Sequence, residues 1–355
     1  MCGRVSSGNM TTVGHDNGRT TTPVNEHPDV TVFIPTWFAG PLLREVLEAV
    51  FQQKTTFTFE VLIYDTSSTD ETPSIIGEFA KRYDQLRHKT ITKNQFSHGR
   101  TRQAAAEDAR GTVIAYLTQD AVPANDLWLA NLVAPILDGY ADAVVGKQIP
   151  RSDAPPLLKY DIHDTFAGLG SDVGVTVVKK TSNPLTQQEQ DLSAFFSDVN
   201  SAIRREVLLT TVPFRDIPYA EDQMMGRDIL AHGLTKAYSP RGAVIHTNDI
   251  ALREFKKRLF DETVGLRRVG IPIQPLSRRN VVKATLNASL RQTRRILHDR
   301  QYSIQRRCYW IVVNPWLQWQ KWEGVRLGSL VDIHSKTALD EHSLESEKAR
   351  KFGQA

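Results

Sequence analysis

The chain of 355 residues has only two cysteines, Cys2 and Cys308. Two such distant residues form no zinc-ligand spacing and no disulfide framework, which fits a reducing compartment. Long apolar runs are also missing. None approaches the roughly 18 residues of a membrane-spanning helix. The N-terminus lacks the apolar stretch of a signal peptide. Residues 1–28 are rich in Gly, Thr and Asn and read as a disordered tail. No GxxxxGK phosphate loop occurs, and Gly168, Gly170 and Gly174 have the wrong spacing for a dinucleotide fingerprint and no strand before them.

Charge is distributed unevenly. Residues 251–330 hold 17 Lys/Arg against 5 Asp/Glu, which is +12 and leaves the rest of the chain at −8, the difference from the overall +4. A basic block behind a mildly acidic domain implies an anionic partner, membrane surface or nucleic acid. No nucleic-acid-binding motif accompanies the block, so nucleic acid is set aside.

Alternating strand and helix patterns fill the first half. Val30–Thr36 is an apolar run ended by Pro35. Leu42, Leu43, Val46, Leu47 and Val50 follow at helical spacing, with Pro41 at the first helical position. Phe59–Tyr64 is a second strand, Thr72–Pro73 opens a second helix, and Leu86–Ile91 is a weak third strand. An Ala-rich helix, Gln103–Ala109, precedes the strand Thr112–Leu117, which runs into Asp120. This β-α-β-α-β-α-β order predicts a mainly parallel sheet that binds its ligand at the carboxyl ends of the strands. Further strands are expected at Ala143–Gly146, Phe195–Ile203 and Ala243–His246, with a helix from Gln223 to Ala231. Residues 151–192 are polar, fit no clear pattern and are expected to include a mobile loop, and a domain boundary falls near residue 250.

Acidic loops recur at element ends: Asp65, Asp120 and Glu221–Asp222. Arg100 and Arg102 precede a helix whose N-terminus could join them in facing a diphosphate, unless they form a solvated basic loop. Asp120 could equally cap a helix starting near Asn125, and Asp70 reads as turn and cap chemistry before Thr72.

The series Phe96–Arg102, Leu117–Ala121 and Ala220–Asp222, with Asp65 and His246, resembles the family 2 glycosyltransferases of GT-A fold, and within them the rhamnosyltransferase branch. The likeness covers roughly residues 30–250, the size of one large domain. It implies an α/β GT-A domain over residues 29–250 and an inverting transfer from a nucleotide-sugar donor, dTDP-L-rhamnose, to a lipid-linked or growing cell-surface glycan. It implies Mn²⁺ or Mg²⁺ held by Asp120 and His246, nucleotide contacts from Thr36, Asp65 and Gln119, Asp222 as the base, and Glu221 positioning the acceptor. Two departures are visible. The metal loop reads Thr118–Gln119–Asp120, with one acid only, and Thr66 follows Asp65 where the family often has a second acid. A catalytically degraded nucleotide-sugar-binding or glycan-binding protein, or a donor such as UDP-galactose, are the alternative readings. A Gln-x-x-Arg-Trp motif is absent, which suits a single-addition enzyme.

In residues 251–334, a basic helical extension, Asn314–Pro315 reads as a helix start, with Trp316, Trp319 and Trp322 following at helical spacing. Such a segment either lies on a membrane or packs its Trp face on the catalytic domain. The expected location is therefore cytoplasmic and peripheral to the inner face of the membrane, through residues 251–330. Residues 335–355 read as a loose tail.

Overall fold

The computed structural model describes residues 27–181, 185–217, 220–247, 250–344 and 346–347. The disordered tail expected for residues 1–28 therefore lies, but for its last two residues, outside the described residues.

The first half follows the expected order. It runs β1 (Val30–Thr36), α1 (Leu42–Phe51), β2 (Phe59–Asp65), α2 (Thr72–Arg82), β3 (Leu86–Thr90), α3 (His98–Asp108), β4 (Val113–Leu117) and β5 (Val122–Pro123). Next come α4 (Trp128–Leu137), β6 (Ala143–Ile149), α5 (Pro156–Leu169), β7 (Thr176–Val178), α6 (Gln187–Ala194), β8 (Asn200–Arg204), α7 (Arg205–Thr210), α8 (Glu221–Ala231) and β9 (Lys236–Ile245). Among the described residues four α-helices follow: α9 (Phe255–Arg268), α10 (Arg278–His298), α11 (Ile304–Leu330) and α12 (Lys336–His342).

All nine strands share one sheet in the order β3-β2-β1-β4-β8-β6-β9-β5, with β7 also on β9. The half built from β3, β2, β1 and β4 is parallel. Beyond β4 the sheet is mixed: β8 runs antiparallel to both β4 and β6, while β6 and β9 are parallel. Both faces are covered, so the central strands are apolar throughout instead of alternating. Val30, Val32 and Ile34 pack with Leu43, Val46, Leu47 and Val50 of α1 on one face. Phe33, Ile114 and Tyr116 pack with Ala105, Met225 and Ile229 on the other. β1 has β2 on one side and β4 on the other, so the chain reverses its direction of winding there and opens a crevice at the strand ends.

Several expectations are corrected. Of the expected strand Phe195–Ile203 only the part from Asn200 onward is a strand, which runs on to Arg204, because Phe196 turns into the core and Asp198 into a buried ion cluster. Residues 151–192, expected to include a mobile loop, hold α5, β7 and α6 among the described residues, and α6 starts in a capping box between Thr186 and Glu189. Pro315 lies inside α11 and does not start it. Ser303 caps the true start, and Asn314 is buried against Ser289 O and Thr293 of α10, so packing overrides the hydrogen bond that proline removes. Lys336–His342, in the tail expected to be loose, is helical; residues 345 and 348–355 lie outside the described residues.

The helices after residue 250 dock on α5 through a third apolar cluster of Leu157, Tyr160, Phe255, Ile296, Tyr302, Trp310 and Leu317. Lys159 Nζ lies 2.7 Å from Asp299 Oδ2 across the same contact. Trp310 is buried here while Trp316 and Trp319 are exposed. Among the described residues no helix is long and apolar enough to cross a membrane.

Candidate active site

Three strand ends and one helix start converge on the crevice. Asp120 follows β4, and His246 follows β9. Their side chains meet: His246 Nε2 lies 3.4 Å from Asp120 Oδ2. Asp120 therefore does not cap α4, which begins only at Trp128. Gln148 on β6 sets the state of the imidazole. Its Nε2 donates to Ser197 Oγ at 3.1 Å and its Oε1 faces His246 Nδ1 at 3.0 Å. An amide oxygen accepts, so Nδ1 carries a proton and leaves Nε2 to face the carboxylate. Burial pushes the Asp120 carboxyl up, but a hydrogen bond from His246 and the imidazole charge, with hydrogen bonds from Thr118 and the Asp120 backbone, together hold it below its ordinary value.

With Nε2 unprotonated, it and the carboxylate 3.4 Å away present two lone-pair donors that suit a cation between them. Among the described residues no group of three or more His, Cys, Asp or Glu side chains is arranged to hold a metal ion. The pair thus fits a hard divalent ion that takes its remaining oxygens from a diphosphate and water, the habit of Mg²⁺ and similar ions. Gln119, where a second acid is expected, is engaged with backbone: Trp37 N donates to its Oε1 at 2.7 Å and its Nε2 donates to Trp37 O at 3.1 Å. It clamps the β1 and β4 loops across the crevice.

On the β2 side, Asp65 accepts from Thr36 Oγ1 at 3.0 Å, from Ser68 Oγ at 2.7 Å and from Ser68 N at 2.9 Å. Thr36 and Asp65 are register partners on neighbouring strands. Most of the Asp65 acceptor capacity thus holds the loop in shape. Thr66 Oγ1 beside it is buried with no hydrogen-bond partner. Asp70 does accept from Thr72 N and Gly40 N, as turn chemistry predicts.

The acid pair sits at the first turn of α8. Glu221 is buried and accepts from Arg102 Nη1 at 2.6 Å. Arg102 Nε lies 3.2 Å from Asp198 Oδ2, although neither atom has a directed hydrogen bond. One guanidinium thus faces several carboxyls. Burial, then the charges of Glu221 and Asp198, push the Asp222 carboxyl up to about 8. Burial, against the nearby Arg102, pushes Asp198 up to about 6. A carboxyl poised near neutrality is a competent proton acceptor. Arg102 is thereby corrected from the diphosphate to the carboxylates, because α3 carries it inward. Arg100 stays exposed on the first turn of α3. Arg227 pairs with Asp191 at 2.9 Å and not with Asp222.

Local fit fixes this arrangement. A side chain at Gly99 would meet Arg215 O at 1.9 Å, so α3 slides close under the loop before α8. Ser97 Oγ donates to Asp216 of that loop at 2.7 Å. The three described non-glycine residues with left-handed backbone are Phe38, Ser67 and Ala220, with φ of 48°, 49° and 61°. Phe38 N donates to Ser68 Oγ, and Ala220 immediately precedes the acid pair. Backbone strain of this kind costs about 1–3 kcal/mol per residue and collects at functional sites. Gln148 and Asp198 were not legible as site residues, since each sits inside or next to an apolar strand-like run.

The sequence model of Glycosyl transferase family 2 matches residues 31–210. The chain belongs to glycosyl transferase family 2. This glycosyltransferase is 31% identical over 238 residues to the O-antigen chain rhamnosyltransferase RfbN of Salmonella typhimurium, covering 66% of this chain and 71% of that one. The O-antigen chain rhamnosyltransferase WbaN of Salmonella anatum is 28% identical over 239 residues, covering 67% and 72%. Among solved structures, the mannosyltransferase PcManGT from Pyrobaculum calidifontis superposes with a TM-score of 0.51 at 19% identity, over 93% of this chain and 80% of that one. The fold is GT-A-like, α/β with a mixed central sheet. The family match ends before Glu221, Asp222 and His246, so these rest on the geometry above.

Proposed function

We propose that this glycosyltransferase moves L-rhamnose from dTDP-L-rhamnose, with inversion, onto a hydroxyl of a lipid-linked or growing cell-surface glycan at the inner face of the membrane. The sugar rests on the likeness to RfbN and WbaN. The chemistry rests on one observation above the others: Asp120 and His246 face each other at 3.4 Å at the strand ends, and Gln148 ties them to the segment carrying Asp198. PcManGT, solved with GDP-Man and Mn²⁺, supports a divalent ion and a sugar diphosphate.

Asp120 and His246 would hold the ion. A bound Mn²⁺ or Mg²⁺ would supply Lewis-acid neutralisation of the charge that builds on the departing nucleoside diphosphate. Thr36, Asp65 and the Gln119–Trp37 clamp shape the nucleotide side, with Arg100 at the mouth. Asp222 takes the proton of the acceptor hydroxyl as its oxygen bonds to the anomeric carbon and the bond from that carbon to the diphosphate oxygen breaks. Glu221, fixed by Arg102, raises the basicity of Asp222 by its charge and holds the start of α8. Residues 251–330 bring the enzyme to the anionic membrane where the acceptor resides.

The test is a panel of nucleotide sugars, each with Mn²⁺, Mg²⁺ or EDTA, with the product anomer read by NMR. Rhamnose transfer that needs the divalent ion and inverts the anomeric centre is the expected result. Full activity in EDTA, or retention of configuration, overturns the mechanism; preference for UDP-galactose overturns the sugar.

A further inference from the structure

We infer that the chain docks on an anionic lipid bilayer through one face of α10, the ladder Val282, Leu286, Leu290 and Leu297. The reading that the acceptor is lipid-linked gives this contact its purpose, and the proposal rests on that reading. These four side chains are 47%, 60%, 65% and 51% exposed. They recur at helical spacing, so they form one stripe. Val281, Thr285, Ala288, Gln292 and Ile296 form the buried face of the helix. Single exposed apolar residues are ordinary on a protein surface, but a stripe of four large ones on one helix marks a contact surface.

The charge around the stripe selects the partner. α10 contains six Lys/Arg and no Asp or Glu. Arg279, Lys283, Arg291 and Arg294 are exposed, and none forms an ion pair among the described residues. An apolar stripe flanked only by cations matches an interfacial helix on anionic headgroups. A second copy of this chain would set the same cations against each other, which disfavours self-association through this face.

Position supports the same partner. The C-terminal end of α10 lines a cleft of about 590 Å³ with Arg295 and His298, opposite Lys147 and Gln148 of β6. Gln148 is the residue that orients His246. The helix carrying the stripe therefore ends at a cleft that reaches the residue orienting His246, and Leu297 of the stripe is next in sequence to His298 of the cleft. An acceptor whose lipid stays in the bilayer along α10 has a short path to the reacting centre. The exposed Val312, Trp316 and Trp319 of α11 lie on the neighbouring helix and add to the interfacial character.

The experiment uses the full chain and vesicles of phosphatidylcholine with or without phosphatidylglycerol. Leu286→Gln/Leu290→Gln should lower partition onto the anionic vesicles by about tenfold or more. Lys283→Gln/Arg294→Gln should weaken binding and flatten its salt dependence. Both variants should keep wild-type transfer to a water-soluble acceptor analogue. If the leucine variant fails to fold, Leu290→Cys in a Cys2→Ser/Cys308→Ser background, labelled with an environment-sensitive dye, should shift to the blue on anionic vesicles. Unchanged partition of the leucine variant, equal binding to neutral vesicles, an unshifted dye, or a dimer broken by the leucine variant without vesicle binding each overturn the docking surface. Vesicle binding with no rhamnose transfer to any acceptor instead counts against the proposed activity and leaves the surface standing.

Discussion

Arg102 donates to Glu221 at 2.6 Å with both side chains almost wholly buried, and it does so across 119 positions of sequence. The pair ties the start of α3 to the start of α8. Burial, with one cation among Glu221, Asp198 and Asp222, pushes the last two carboxyls above the ordinary carboxylate range.

Asp222→Asn should lower turnover by about 10²- to 10⁴-fold, the usual size of a general-base contribution. Nucleotide affinity should survive, because the donor side uses other residues. The wild-type rate should also fall as pH drops through an acid limb that the variant lacks. Calorimetric nucleotide binding and a pH–rate profile for both proteins check this. Loss of nucleotide binding would move Asp222 to the donor side.

Stability should respond to the same group with a definite sign. Asp222 lies near 8 in the folded chain against about 3.9 unfolded, so the native state holds more protons across that window. Folding stability contributed by this carboxyl therefore falls as pH rises from about 4 to about 8. Asp222→Asn should match wild type near pH 4 and exceed it at pH 8 in urea denaturation. A variant less stable at pH 8 contradicts the anionic crowding.

Arg102→Gln should destabilise the protein by about 3–5 kcal/mol at neutral pH, since it strands buried carboxylates. The deficit should shrink toward pH 5 as those carboxyls protonate. A loss that stays constant with pH would mean packing dominates.

Gln148→Ala should leave the fold intact and weaken divalent-ion affinity by about 10- to 100-fold, because the imidazole loses the partner that fixes its tautomer. Asp120→Ala should abolish ion-dependent nucleotide binding. Calorimetry with Mn²⁺ in the presence of dTDP reads both. Wild-type affinity in Gln148→Ala would show that His246 is oriented by something else.

Gly99→Ala should destabilise the α3–α8 contact, because the new methyl meets the Arg215 carbonyl at 1.9 Å and backbone cannot yield as a side chain would. A lowered Tm with reduced transfer is expected, and an unchanged Tm would show that the loop before α8 adapts.

The sequence by itself determined the βα half of the fold, because buried parallel strands are apolar throughout and their helices repeat at 3.6 residues. It also marked Asp65, Asp120 and Asp222, since carboxylates that follow a strand or open a helix stand out from the pattern around them. Only the tertiary structure decided which of these groups face one another. The antiparallel pairings of β8, the turning of Arg102 from the crevice mouth to Glu221, the Gln148 contact that orients His246, and the outward leucine face of α10 all depend on residues far apart in the chain. Periodicity reports which residues share a face of one element; it carries no information on what that face meets. That meeting pushed the Asp222 carboxyl up and left the basic helix with an apolar stripe open to solvent.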